Sequence, residues 1–301
     1  MNCFNGQRYL REAIDSVYAQ SYPDWEIVFF DNASTDDSAV IARSYDDRLR
    51  YFKGDRTVPL GAARNCAIEQ ARGEFIAFLD CDDRWSAKKL ERQIPLFRDS
   101  QIGIVYSDAV VFNQDGDRSR FYDRMPSSTG ECFRQLLKEY FLCMPTVMIR
   151  RTALDEVGEW FDPRFEISEE ADLFIRLARR WSLAMVKEPL AEYRVHAQSS
   201  TWSRGHLVAE EAELLLSKLK SATPDFWERF GDEAEYFRMT SRLRKASYCF
   251  RTGDSRGARN CAFPYALKSR YALMLLVASF LPEAVIHPLQ KWYLRKRVTA
   301  S

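Results

Sequence analysis

Apolar residues at Leu10, Ala13, Ile14 and Val17 recur at helical spacing, so Tyr9 to Ala19 reads as an amphipathic helix that ends before Pro23. Trp25 to Phe30 is a short apolar run containing Val and Phe, the pattern of a buried strand. A helix over Ser38 to Tyr45 and a strand over Leu49 to Phe52 follow. Next come a helix over Gly61 to Ala71, stopped by Arg72-Gly73, and an apolar strand over Phe75 to Leu79. Alternation at this spacing predicts an α/β sheet with parallel strands. Ligands of such sheets bind beyond the carboxyl ends of the strands. Two acidic loops, Asp31 to Asp37 and Asp80 to Asp83, leave strand ends of that kind and are expected to face one crevice.

The pattern continues with a strand over Ile102 to Phe112 and a polar stretch, Asn113 to Ser128, in which Asp115-Gly116 marks a turn. A strand over Met144 to Arg150, a short helix over Arg151 to Val157 and an amphipathic helix over Glu169 to Arg180 follow. Beyond about residue 205 only helical patterns remain, over Leu207 to Leu219, Glu233 to Phe250 and after Gly253-Asp254. The chain therefore divides into an α/β domain over 1–205 and a helical extension over 206–301. At the other end, no strand pattern precedes the Asn5-Gly6 turn.

With 46% hydrophobic residues in 301, the chain has the composition of a folded globular protein. A formal charge of +1 gives no overall field that would draw nucleic acid, so any electrostatic function is local. Seven cysteines, an odd number with no Cys-x-x-Cys pair, argue against a disulfide framework and a structural zinc site, and for a reducing, cytoplasmic setting. Tyr271 to Leu281 is apolar, and Lys291, Arg295, Lys296 and Arg297 follow it. That stretch is too short to span a bilayer. It either lies on an anionic membrane surface or packs as a terminal helix.

Two acidic clusters carry the candidate chemistry. Asp80-Cys81-Asp82-Asp83 crowds three carboxylates at the end of a buried strand, where they repel one another and lose hydration. A divalent cation resolves that conflict, and Mn2+ or Mg2+ takes oxygen ligands of this type. The same cluster also suits the start of a helix running on from Trp85. Glu169-Glu170-Ala171-Asp172 heads the second amphipathic helix, where acids are favoured by the helix dipole and where one could accept a proton. No serine or cysteine stands in a pattern with histidine and acid that would suggest a covalent intermediate.

The segments Cys3-Phe4-Asn5-Gly6 through Trp25-Glu26-Ile27-Val28, Asp31-Asn32-Ala33-Ser34-Thr35-Asp36, Gly61 to Ile68, and Ala71 to Asp83 with Trp85, Lys89-Leu90 and Gln93 stand in order along the chain. In these motifs the chain resembles family 2 glycosyltransferases of the GT-A fold, over residues 3–205. The resemblance implies a GT-A nucleotide-diphospho-sugar transferase fold, with a Rossmann-like, mixed and mainly parallel sheet. It further implies an inverting transfer of a hexosyl or related sugar from a nucleotide-diphosphate sugar to an acceptor hydroxyl.

Carried over by position, Asp31 and Asn32 hold the base and ribose, Arg64 lies near the nucleotide, Asp80 contacts the ribose or a metal-bound water, and Asp82 binds Mn2+ or Mg2+. Glu170 stands where relatives carry the catalytic aspartate and is the expected base, with Glu169 its rival. Tyr193-Arg194-Val195-His196 matches a segment that closes the site, and His196 is a candidate ligand of the metal or a phosphate. The acceptor expected from the resemblance is a glycan or a lipid-linked intermediate of cell-surface polysaccharide synthesis, met at the inner face of the membrane.

Relatives also begin with a central apolar strand, which here reads as missing, so the sheet is expected to carry an open slot with unpaired backbone groups. That departure motivates the alternative of an N-terminally truncated, inactive nucleotide-sugar-binding or scaffold homologue. A nucleotidyltransferase is disfavoured because no glycine-rich phosphate loop stands near the N-terminus.

Overall fold

The structure is a computed structural model that describes residues 1–196 and 204–281. It forms two compact units, one of Met1–Leu136 with Tyr140–Val195, the other of Leu137–Glu139 with the chain from His196 onward.

In the first unit the order is β1 (Asn2–Cys3), α1 (Gln7–Tyr18), β2 (Ile27–Asp31), α2 (Ser38–Ala42), β3 (Leu49–Lys53), α3 (Leu60–Gln70), β4 (Phe75–Ala77), β5 (Arg84–Trp85) and α4 (Lys89–Gln93). It continues with β6 (Ile102–Asn113), β7 (Arg118–Arg120), α5 (Phe133–Lys138), β8 (Met148–Arg150), α6 (Arg151–Glu156), α7 (Glu169–Leu177) and β9 (Ser182–Val195). Strands β1, β2 and β3 pair in parallel, as the early alternation predicts. A second sheet runs β4-β8-β6-β9-β5, with β7 hairpinned onto β6. In it β6 and β9 are parallel, while β4–β8, β6–β8 and β5–β9 are antiparallel.

Every residue of β2 is buried, because helices cover both of its faces. Alternate side chains point opposite ways along a strand. Ile27 and Phe29 accordingly pack with Leu10, Ala13, Ile14 and Val17 of α1, while Val28 and Phe30 meet Ala63 and Ala67 of α3. Both loops at the carboxyl ends of β2 and β4 are thereby held between packed layers.

Three elements depart from the sequence pattern. The stretch Trp85 to Phe97 is not one helix: Trp85 lies in β5, paired with Ala191, and a 3-10 turn over Ile94–Arg98 follows α4. The pairing is anchored by the Trp85 indole, which donates to Pro145 O. The 14-residue β9 has no strand signature, since Lys187-Glu188-Pro189 interrupts its alternation. Its partner β6 absorbs that interruption in register shifts around Asp108.

At the N-terminus, where the pattern shows no strand, Asn2–Cys3 does form one of two residues. Two residues are too few for a hydrophobic period to register. The expected slot is present as a cavity of about 550 Å³ lined by Ile27 and Val28 of β2, Phe75–Ala77 of β4 and Met1. Met1 N donates to Val28 O at 2.9 Å.

Gly103 in β6 marks a close approach. A Cβ there would stand 2.5 Å from Trp181 Cβ, where the chain turns into β9. Gly103→Ala is therefore expected to lower stability by about 1–3 kcal/mol through overpacking, read as a shift of the urea midpoint.

The second unit contains α8 (Val208–Ser221), α9 (Phe226–Arg251), α10 (Ser255–Ala262) and α11 (Arg270–Ala278). Asp254 and Ser269 cap α10 and α11 by accepting from Gly257 N and Ala272 N. Leu243, Ala246, Phe250, Ala258, Ala262, Tyr265 and Leu275 close its core. Among the described residues no helix is long and apolar enough to cross a membrane.

Candidate functional site

The loop after β4 is built by its neighbours rather than by its own helix propensity. Asp83 is buried, and its Oδ1 accepts from Arg194 N at 2.8 Å. Arg194 returns the contact, its Nε donating to Asp82 O at 2.8 Å, while its other terminal nitrogen meets Glu12. The end of β9 is thus tied to the Asp80–Asp83 loop, and the backbone of Asp82 is fixed while its side chain stays half-buried. Burial, with Asp82 and Asp80 adding negative charge, drives the Asp83 pKa well above the ordinary carboxylate value. Asp83 therefore anchors the loop through its contact with β9, while the Asp80 and Asp82 side chains stay half-buried.

Arg64, on α3, joins the two acidic clusters. It is 5% exposed and pairs with Asp80 Oδ1 at 3.0 Å and, through its other terminal nitrogen, with Glu169 Oε1. Burial works against its charge, but Asp80, Glu169 and Glu170 outweigh that and raise its pKa. Neighbouring Asn65 exchanges hydrogen bonds with the backbone of Phe161 at 2.7 and 3.0 Å, locking α3 to the segment that leads into α7. Breaking one partner of a buried ion pair leaves an uncompensated charge. Arg64→Met is expected to cost about 3–5 kcal/mol of stability, measured by urea unfolding.

Three acids crowd the first turn of α7, and their surroundings separate them. Glu169 is held by Arg64. Asp172 pairs with Arg176 at 2.7 Å, and Arg176 also donates to Glu159 O and Trp160 O, so this acid fastens the helix to the preceding loop. Glu170 has no ion pair among the described residues. Burial, then the charge of Glu169, pushes its pKa up to about 8, with Arg64 pulling the other way. Tyr140 and Tyr193 are both shifted upward by burial and feel Glu170. Tyr193 stands in the segment expected to close the site, whereas Tyr140 carries no sequence signal that marks it for this position.

Asp31 and Asn32 are both buried. Asp31 accepts from Ser34 N at 2.8 Å and from the Tyr51 hydroxyl at 2.5 Å, which shapes the loop after β2. Asn32 clamps Val58 through both ends of its backbone, Nδ2 to O and N to Oδ1, each at 2.9 Å. The structure thus brings Arg64, Asp80 and Glu169 into direct contact, ties Asp82 and Asp83 to β9, and places Glu170 within electrostatic reach of Asp80. His196 follows Val195, the last residue of β9, and is half-buried.

Among the described residues, the group whose carboxylates converge within 4.8 Å is Glu159, Asp162 and Asp172, which includes none of the acids of the Asp80 loop. Asp162 and Asp172 there are already paired with Arg164 and Arg176.

A family model described as glycosyl transferase family 2 matches residues 1–158. The chain belongs to that family. Curated members similar to it include TuaG of Bacillus subtilis (strain 168), assigned by name to teichuronic acid biosynthesis, at 29% identity over 64% of this chain and 76% of TuaG. Another is WfgD of Escherichia coli, a UDP-Glc:alpha-D-GlcNAc-diphosphoundecaprenol beta-1,3-glucosyltransferase, at 30% identity over 52% of this chain and 60% of WfgD.

Among solved structures, the family 2 chain is similar to the mannosyltransferase PcManGT of Pyrobaculum calidifontis, solved with GDP-Man and Mn2+. The TM-score is 0.60 at 18% identity, covering 99% of this chain and 84% of that one. It is also similar to S. aureus TarS 1-349 with UDP-GlcNAc, with a TM-score of 0.56 at 17% identity over 93% and 87% of the two chains. Of a longer TarS chain it spans 53%. The fold is the GT-A fold.

Proposed function

We propose that this family 2 member is an inverting, metal-dependent glycosyltransferase that moves a hexosyl or related sugar from a nucleotide diphosphate to an acceptor hydroxyl. The observation that carries this reading is Glu170. It alone of the three acids heading α7 has no arginine partner, and its pKa of about 8 suits a base working near neutral pH. A single base with no paired nucleophile favours one displacement, hence inversion.

In this reading Asp31 and Asn32 shape the cleft for the base and ribose, Asp80 meets the ribose or a metal-bound water, and Arg64, held by Glu169 and Asp80, lies near the donor phosphates. Asp82 would hold Mn2+ or Mg2+. The crowding of three carboxylates at Asp80, Asp82 and Asp83 fits such an ion, and oxygen ligands suit both metals. A dication there would stabilise the charge that develops on the departing diphosphate. Support for a nucleotide-sugar donor comes from the ligands named for TarS and PcManGT, UDP-GlcNAc and GDP-Man with Mn2+. The acceptor named for WfgD supports a lipid-linked glycan met at the inner face of the membrane by a cytoplasmic enzyme.

The test is calorimetric titration of the full chain with uridine, thymidine and guanosine diphosphates, with and without Mn2+. Binding of one of them that requires the ion supports the reading. Absence of binding to all three would count against it and favour an inactive homologue.

A further inference from the structure

Helix α11 buries one side and leaves the other bare. Ala272 and Leu275 face the core of the helical unit. Leu273, Met274 and Val277 are about half exposed or more, at 48%, 50% and 57%, and Phe280, three residues on, is 69% exposed. Their spacing of one, three and four places them on one face. Phe263 at 72% and Leu267 at 102%, in the turn that joins α10 to α11, extend the apolar surface. These are large side chains gathered in one region, where a soluble surface would scatter them.

Along the chain, the exposed charges of this segment have a single sign. Between Asp254 and Glu283 the sequence contains no acidic residue, while Arg256, Lys268 and Arg270 are exposed. The acids of the unit lie instead on α8 and α9, at Glu210, Glu211, Glu213, Glu228, Asp232, Glu233 and Glu235. The sequence beyond, with Lys291, Arg295, Lys296 and Arg297, is basic as well.

An apolar face whose own segment exposes Arg256, Lys268 and Arg270 suits a partner that is apolar inside and anionic outside. A second copy of the same face, or the basic end of the chain, would bring like charges together. We propose that α11 and the turn before it form a lipid-facing surface that docks on anionic membranes, with Leu273, Val277 and Phe280 entering the acyl boundary and Lys268 and Arg270 meeting headgroup phosphates. The contact is peripheral. It deepens the proposed action on a lipid-linked acceptor by naming the residues that hold the enzyme where that acceptor lies.

The experiment is co-sedimentation of the full chain with vesicles of phosphatidylcholine alone or with about a third phosphatidylglycerol. It uses neither donor nor acceptor, so its failure leaves the glycosyltransferase reading untouched. Strong binding to the anionic vesicles alone, weakened by salt, is expected. Lys268→Glu with Arg270→Glu should lower it roughly tenfold or more, since each basic residue near such a surface contributes about a factor of five. Leu273→Glu with Val277→Glu should remove it. All four positions are exposed, so unchanged thermal melts are expected to accompany the loss. Absence of binding to anionic vesicles would overturn the proposal, as would binding that neither double variant weakens. A dimer that the Leu273/Val277 variant dissociates, with no vesicle binding, would assign the face to a second copy instead.

Discussion

Asp82→Ala is expected to abolish ion-dependent nucleotide binding and lower turnover by about 10³-fold or more, the several kcal/mol that a bound dication supplies to a charged transition state. The fold should survive it. The loop is anchored through the Asp82 carbonyl, which accepts from Arg194, and through Asp83, which accepts from the Arg194 amide. Neither bond uses the Asp82 side chain. Removing that carboxylate also relieves the charge that crowds Asp83, so the urea midpoint should stay level or rise. Retained Mn2+-dependent binding in this variant would move the metal assignment to other carboxylates. A variant that simply unfolds would show that the side chain is structural.

Glu170→Gln is expected to lower kcat by about 10²–10⁴-fold while leaving nucleotide binding intact, because it removes the proton acceptor and keeps the shape. Unaltered turnover would pass the role to Glu169. The ionisation of Glu170 gives two further signatures. As a base it must be deprotonated, so kcat/KM should rise with pH through about 8 in the wild type.

Stability should move the opposite way. The folded pKa lies above the unfolded one, so the folded state binds the extra proton. The stability that this proton contributes is fully present below the ordinary carboxylate pKa and is lost as pH rises toward about 8. Urea midpoints of Glu170→Gln at pH 6 and pH 9 should therefore differ less than those of the wild type.

Much of the site was legible along the chain, but in different ways for different residues. The acidic loops after β2 and β4 announce themselves, because apolar strand runs end abruptly in carboxylates. The acids of α7 are visible as a cluster, yet nothing in Glu169-Glu170-Ala171-Asp172 tells one from another. Their separation depends on Arg64, 105 residues before Glu169, and on Arg176 one turn later. Arg64 itself reads from sequence as a candidate phosphate contact, and in the fold its buried guanidinium already bridges Asp80 and Glu169. Asp83 reads as a third ligand-like carboxylate, and β9 turns it into an anchor. Strand β9 escaped the pattern because its alternation is broken at Lys187-Glu188-Pro189, and only its pairing with β6 makes it a strand.

The sequence by itself determined the order of the alternating elements, the positions of the acidic loops and the helical character of the last third. Those properties follow from local periodicity and from abrupt changes between apolar and polar residues, which act over a few positions. Tertiary structure alone decided which acid is paired with an arginine and which has its pKa pushed upward. Burial and a charged neighbour set each of those states, and both are supplied by elements far apart in the chain.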